Sequence, residues 1–228
     1  MRWYQVSMDD LDELMSYFDD FEIDLNLVER YTDFNSIPKV EHQYFFETDG
    51  DELPRIIGEN PDSFFVAIPY CAKPENCPEE RDSDRCTPDC EVDCQLKEIH
   101  LLTKKLGSDF FIIRSDDEYI QYMIHKKEKI KEGTLYQLTW GCPMTIKAFL
   151  PVVAGIGTRG IGMELTGPVC DKSSDYTHSI KNIKRKRTFL GGIDTAKLYL
   201  KKAIEIKEQR RIELDILVDT EISSTAKV

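Results

Sequence analysis

Residues Ser63 to Pro69 read SFFVAIP, and Asp109 to Arg114 read DFFIIR. Both are short apolar runs, rich in Phe, Val and Ile and bounded by polar residues. Each reads as a strand buried on both faces. Between them, Gln95 to Leu106 places Leu96, Ile99, Leu102 and Leu106 on one helical face, and Gly107 then caps the helix. The same alternation continues downstream. Asp116 to Lys127 carries Tyr119, Ile120, Met123 and Ile124 at helical spacing, Thr134 to Trp140 (TLYQLTW) reads as a third strand, and Cys142 to Val152 as a helix with Pro143 near its start. Gly160 to Leu165 (GIGMEL) is the fourth strand. Strands that alternate with helices predict parallel pairing through right-handed crossovers, with helices on both faces of the sheet. Residues 61–175 are therefore expected to form a doubly wound α/β core with a mostly parallel sheet.

Two extensions flank this core. Residues 1–60 read as an acidic, helical N-terminal region: Ser7 starts a helix that carries Leu11, Leu14, Met15 and Phe18 on one face. Glu41 to Thr48 is expected as an edge strand, and Glu52 to Ile57 as a short helix that tolerates Pro54 in its first turn. Residues 176–228 contain a basic run (Lys181, Lys184, Arg185, Lys186, Arg187) that reads as a solvated face. A helix follows over Thr195 to Arg211, with Asp194 as its N-cap, and Leu214 to Ile222 is expected as a further strand.

The 228 residues carry a formal charge of −12, with 32% of them charged. That balance argues against nucleic acid as a partner, because phosphate binding needs a positive face. No run approaches the roughly 18 apolar residues of a membrane span. The first residues, Met1 to Gln5, lead at once into Asp9, Asp10, Asp12 and Glu13, which is not the layout of a secretory signal. The expectation is a cytoplasmic protein without membrane partners, whose thiols stay reduced. Seven cysteines in such a chain make a poor disulfide framework and leave metal ligation or thiol chemistry.

The cysteines fall at telling places. Cys71 follows the first core strand, and Cys77, Cys86, Cys90 and Cys94 fill the long connection to its helix. Cys142 follows the third strand, and Cys170 the fourth. In a parallel sheet all of these positions lie at the carboxyl edge, where such folds bind ligands. The connection from Cys71 to Cys94 is polar, broken by proline and far longer than an ordinary strand-to-helix loop. A metal held by its thiolates would order it, because metal binding then supplies folding energy. No C-x2-C pair occurs, which disfavours a structural zinc knuckle, while many thiolates and almost no histidine suit an iron–sulfur cluster. His42, His100 and His125 fall inside predicted elements and read as surface or core histidines. Two partitions are open. Cys77, Cys86, Cys90 and Cys94 could hold one cluster, with Cys71, Cys142 and Cys170 as a second group able to leave one iron open as a Lewis acid. Alternatively, one site draws on both groups.

The order Ala67-Ile68-Pro69-Tyr70-Cys71, Cys77-Pro78, a close cysteine trio and a helix ending at Leu106-Gly107 resembles the domain of unknown function 116 family of archaea and anaerobic bacteria. Trp140-Gly141-Cys142 and Gly167-Pro168-Val169-Cys170 extend the resemblance, which covers residues 62–172. It implies a cysteine-rich iron–sulfur protein of an anaerobe, with no settled activity.

Gly155, Gly157 and Gly160 spell a GxGxxG string, but it precedes a strand instead of opening a helix, so it reads as a turn and not a dinucleotide fingerprint. Arg159 is a candidate for holding a substrate carboxylate, and Ser173 and Ser174 are candidates for touching a substrate. Three functions are expected. The first is a four-iron iron–sulfur protein in redox or electron-transfer service to a partner protein or enzyme. The second is a hydro-lyase-like enzyme that uses an open iron. The third is a zinc-stabilised interaction module.

Overall fold

The computed structural model describes residues 23–33, 37–79, 85–87, 89–130, 133–167, 169 and 188–225, with side chains of the last helix described to residue 217. The N-terminal helix expected over Ser7 to Phe18, the basic run, Cys170, Ser173 and Ser174 lie outside these residues. In chain order the strands are β1 (Lys39–Val40), β2 (Gln43–Phe46), β3 (Phe64–Pro69), β4 (Asp109–Ile113), β5 (Leu135–Gly141), β6 (Thr158–Thr166) and β7 (Phe189–Leu190). The helices are α1 (Leu25–Thr32), α2 (Leu53–Glu59), α3 (Gln95–Leu106), α4 (Asp116–Ile130), α5 (Pro143–Gly155) and α6 (Ile193–Thr225).

The fold is α/β with a mixed, mostly parallel sheet in the order β1-β2-β6-β5-β3-β4, and β7 pairs with β6. Strands β4, β3, β5 and β6 run parallel, while β2 and β7 lie antiparallel to β6. Helices cover both faces. Leu53 and Ile57 of α2, Ile99 and Leu106 of α3, and Ala196, Leu200 and Ala203 of α6 pack on Val66, Ile68, Leu138 and Met163. On the other face, Tyr119, Ile120 and Met123 of α4 and Ile146, Leu150 and Val153 of α5 pack on Phe65, Ala67 and Leu135. Side chains of β3 thus alternate between two cores, and Phe64 to Ile68 are all fully buried, as expected for a central strand.

Four expectations need correction. DFFIIR is a strand, but it is the sheet's edge and only Ile112 in it is buried. Its aromatic rings are covered from the helices instead. Phe110 stacks on His100 with centroids 4.2 Å apart, and Phe111 stacks on Tyr122 at 4.4 Å. The strand expected at an edge, β2, lies one place inside, because the two-residue β1 folds back on it through a turn at Glu41. The chain after Leu214 is helical, not a strand, and Asp194 lies in the first turn of α6 instead of capping it. Leu200, Ala203 and Ile204 anchor α6 on the core, so each further residue adds a helical hydrogen bond without a new nucleus.

The GxGxxG string closes α5 and enters β6, as the turn reading anticipates. Gly160 has φ +151°, and a Cβ there would come within 2.0 Å of the Gln137 carbonyl oxygen on β5. Any side chain must push the two central parallel strands apart. Gly160→Ala is therefore expected to cost at least about 2 kcal/mol of stability, and an unchanged urea midpoint would contradict this account of the β5–β6 pairing.

Candidate metal centre and switch-point pocket

The chain leaves β3 through α3 to reach β4 on one side, then returns through α4 to reach β5 on the other side of β3. The crossover helices leave on opposite faces, α3 on one and α4 on the other. A crevice opens between the carboxyl ends of β3 and β5, where the strand order reverses. Open α/β sheets place their ligands at this point.

A mostly apolar pocket of about 80 Å³ lies in that crevice. The sheet beneath it is paved with Thr139, Gly141 and Gly162, which leave the space open, and Phe46, Phe149 and Leu150 wall it. Cys71 and Cys142 both line it, and both are buried. Cys71 sits in a single 3-10 turn at the end of β3, and the Thr188 hydroxyl donates to its carbonyl oxygen at 3.0 Å. Cys142 immediately precedes Pro143 and α5, and its carbonyl accepts from the Ile146 N–H at 2.9 Å. The Arg114 guanidinium and the Asp116 carboxyl stand at the pocket's α4 side.

The loop cysteines form a separate group. Cys77, Cys86, Cys90 and Cys94 line one small pocket together with Lys73 and Leu96. Turns closed by Cys77 N–H to the Pro74 carbonyl (3.1 Å) and Cys90 N–H to the Thr87 carbonyl (3.2 Å) hold two of them. The Lys97 ammonium ties the loop to α3 by donating to the Cys90 carbonyl at 2.5 Å. All four are half-buried free thiols. Burial pushes the Cys86 thiol up to about 12, and the thiols of Cys94, Cys77 and Cys90 add to that rise while Lys73 opposes it. The four sulfurs therefore share one electrostatic environment. Lys73 itself is 1% exposed, an uncommon place for an ammonium.

Among the described residues, no three His, Cys, Asp or Glu side chains stand at the spacing of a preformed metal site. The donor set nonetheless fits a soft metal or cluster: four thiols round one pocket, a buried cation beside them, and no histidine in the lining. Among the described residues, Cys71 and Cys142 line a different pocket from the loop four.

Arg159 is not brought to either site. It is the second residue of β6, in register with Tyr136 near the start of β5, and so lies exposed at the amino edge of the sheet. His125 is exposed on α4, His100 is stacked on Phe110, and His42 is bound to Glu164.

Three groups, two at these sites and one on β6, escaped the sequence reading. Asp116 and Lys73 look like ordinary surface residues in the chain, and nothing local marks them. The third is Glu164, near the end of β6, which gathers Lys39 (2.8 Å), His42 (3.0 Å) and the Tyr44 hydroxyl. Its partners come from the β1–β2 hairpin, more than a hundred residues away in sequence. No family model, curated protein or solved structure matches this chain.

Burial alone would raise the Glu164 carboxyl, but the hydrogen bonds from His42, Lys39 and Tyr44 outweigh it and hold the group down at about 2. A carboxylate held below its ordinary value stabilises the fold above pH 4.5, and that contribution is lost as the pH falls towards 2. Glu164→Gln is expected to lower stability at neutral pH and to flatten this acid-dependent part of the curve. Urea midpoints collected across the range check it; parallel curves for the two proteins would contradict the assignment.

Proposed function

We propose that this chain holds an iron–sulfur cluster, of the four-iron type, on Cys77, Cys86, Cys90 and Cys94, and serves in electron transfer to a partner protein or enzyme. The observation that carries the reading is the single pocket shared by these four thiols and a buried lysine. Four thiolates and a cluster bring net negative charge into a half-buried site. Lys73 offsets it, and burial without such a countercharge would be costly. The cluster, when bound, supplies one-electron chemistry whose potential follows charge, hydrogen bonding and exposure. The loop's own residues do the rest: the Pro74 and Thr87 turns aim two thiols, Lys97 fixes the loop to α3, and Leu96 closes the pocket from below. The half-exposed position of the loop suits exchange with a partner at the surface. The resemblance to the domain of unknown function 116 family points the same way.

Anaerobic reconstitution with iron and sulfide is the test. The expected product is brown, with visible absorption that bleaches on reduction and an iron content near that of one cluster. Serine variants of Cys86 or Cys90 should lose most of that iron, while Cys142→Ser should keep it. Colourless protein that holds stoichiometric zinc would replace this reading with a zinc-stabilised interaction module. Loss of iron on Cys142→Ser would favour a site shared with the strand ends, as an open-iron, hydro-lyase-like enzyme requires.

A further inference from the structure

The switch-point pocket is distinct from the loop thiol pocket, and its chemistry can be read without any metal. Its walls are apolar, so a ligand is held mainly by shape and burial. Its charged groups then decide which ligand. Among the described residues Arg114 is the one basic residue lining it, and its guanidinium is already forked on the Glu118 carboxylate, with Nε 2.9 Å from one oxygen. Asp116 is different: among the described residues its carboxyl has no hydrogen bond and no ion pair, although it is partly buried.

An anionic ligand is poorly served here. The first turn of α4 already holds Asp116, Asp117 and Glu118, which repel a further negative charge. A neutral apolar ligand would fill the cavity but leave Asp116 facing it unpaired. A cation would relieve that charge. Burial, with help from Asp117, pushes the Asp116 carboxyl up to about 6, the sign of a negative charge that lacks a partner.

We propose that the switch-point pocket binds a small, branched alkylamine, with the apolar body on Phe149 and Leu150 and the protonated nitrogen on the Asp116 carboxylate. The pocket's volume, about 80 Å³, is about half the roughly 150 Å³ of an apolar cavity that admits benzene. It limits the buried part of the ligand to a few heavy atoms. Thr139 and Cys142 are also in the lining. The site does not depend on the loop cysteines, so it stands or falls apart from the cluster reading.

The test compares three probes of one shape at fixed ionic strength on the full chain: isobutylamine, isobutanol and isobutyrate. Binding is followed by NMR from the Trp140 indole and the Gly141 and Gly162 amides. The amine should bind at least about tenfold more tightly than either other probe. Asp116→Asn should erase that preference, whereas Asp117→Asn, which removes the same charge on an exposed residue outside the lining, should keep it. Equal affinity for the three probes, no shift at these reporters, or a preference that survives Asp116→Asn would overturn the proposal. Should Asp116→Asn not fold, the probe comparison on the unaltered chain decides alone. Iron content, measured on the same samples, reports on the loop site independently.

Discussion

Strand β3 has parallel neighbours on both sides, and both come from later in the chain: β4 next in sequence, β5 after it. Right-handed crossovers require α3 and α4 to leave this region on opposite faces. No backbone can then bridge the carboxyl ends of β3 and β5, and a crevice follows from the connectivity itself. Everything of chemical interest hangs from it. Cys71 ends β3, and the loop with the four further cysteines continues from the same strand end. Cys142 ends β5, and Asp116 opens the helix that carries the chain back across.

The two sites so placed are opposite in character. The loop site is rich in soft, ionisable donors and holds a buried cation, Lys73, where a globular core would normally hold none. The switch-point pocket is apolar, is paved by small residues and holds a carboxyl without a counterion. One site sets a buried ammonium among groups that become negative on ligation. The other has negative charge set in an apolar wall. A bound cation would relieve the second, because charge held away from water without a partner is costly.

Much of the scaffold was legible because its signals are local. Leu96, Ile99, Leu102 and Leu106 followed by Gly107 mark α3 to the residue, and Gly107 takes the left-handed conformation expected of a helix stop, with φ +85°. The run SFFVAIP is the central strand it reads as. Where the reading failed, the deciding contact was distant. DFFIIR has nearly the same composition, yet it is an edge strand, since only pairing order distinguishes an edge from a centre. Its hydrophobicity is used against His100 and Tyr122 instead of a second strand. The segment after Leu214 alternates apolar and charged residues in a way that suits either structure, and the anchored start of α6 settles it as helix.

The sequence by itself determined the α/β alternation, the carboxyl-edge location of Cys71 and Cys142, and a loop too long and polar to be ordinary. These follow from periodicity, turn residues and spacing, which are properties of neighbouring residues. Only the tertiary structure decided that the six described cysteines line two pockets, that Arg159 lies exposed at the amino edge, and that Lys73, Asp116 and Glu164 are the charges that matter. A charged residue in a sequence looks solvated by default. Its energy depends on which distant groups surround it and how much water is excluded, and those are set only when β3, β5 and their crossover helices come together.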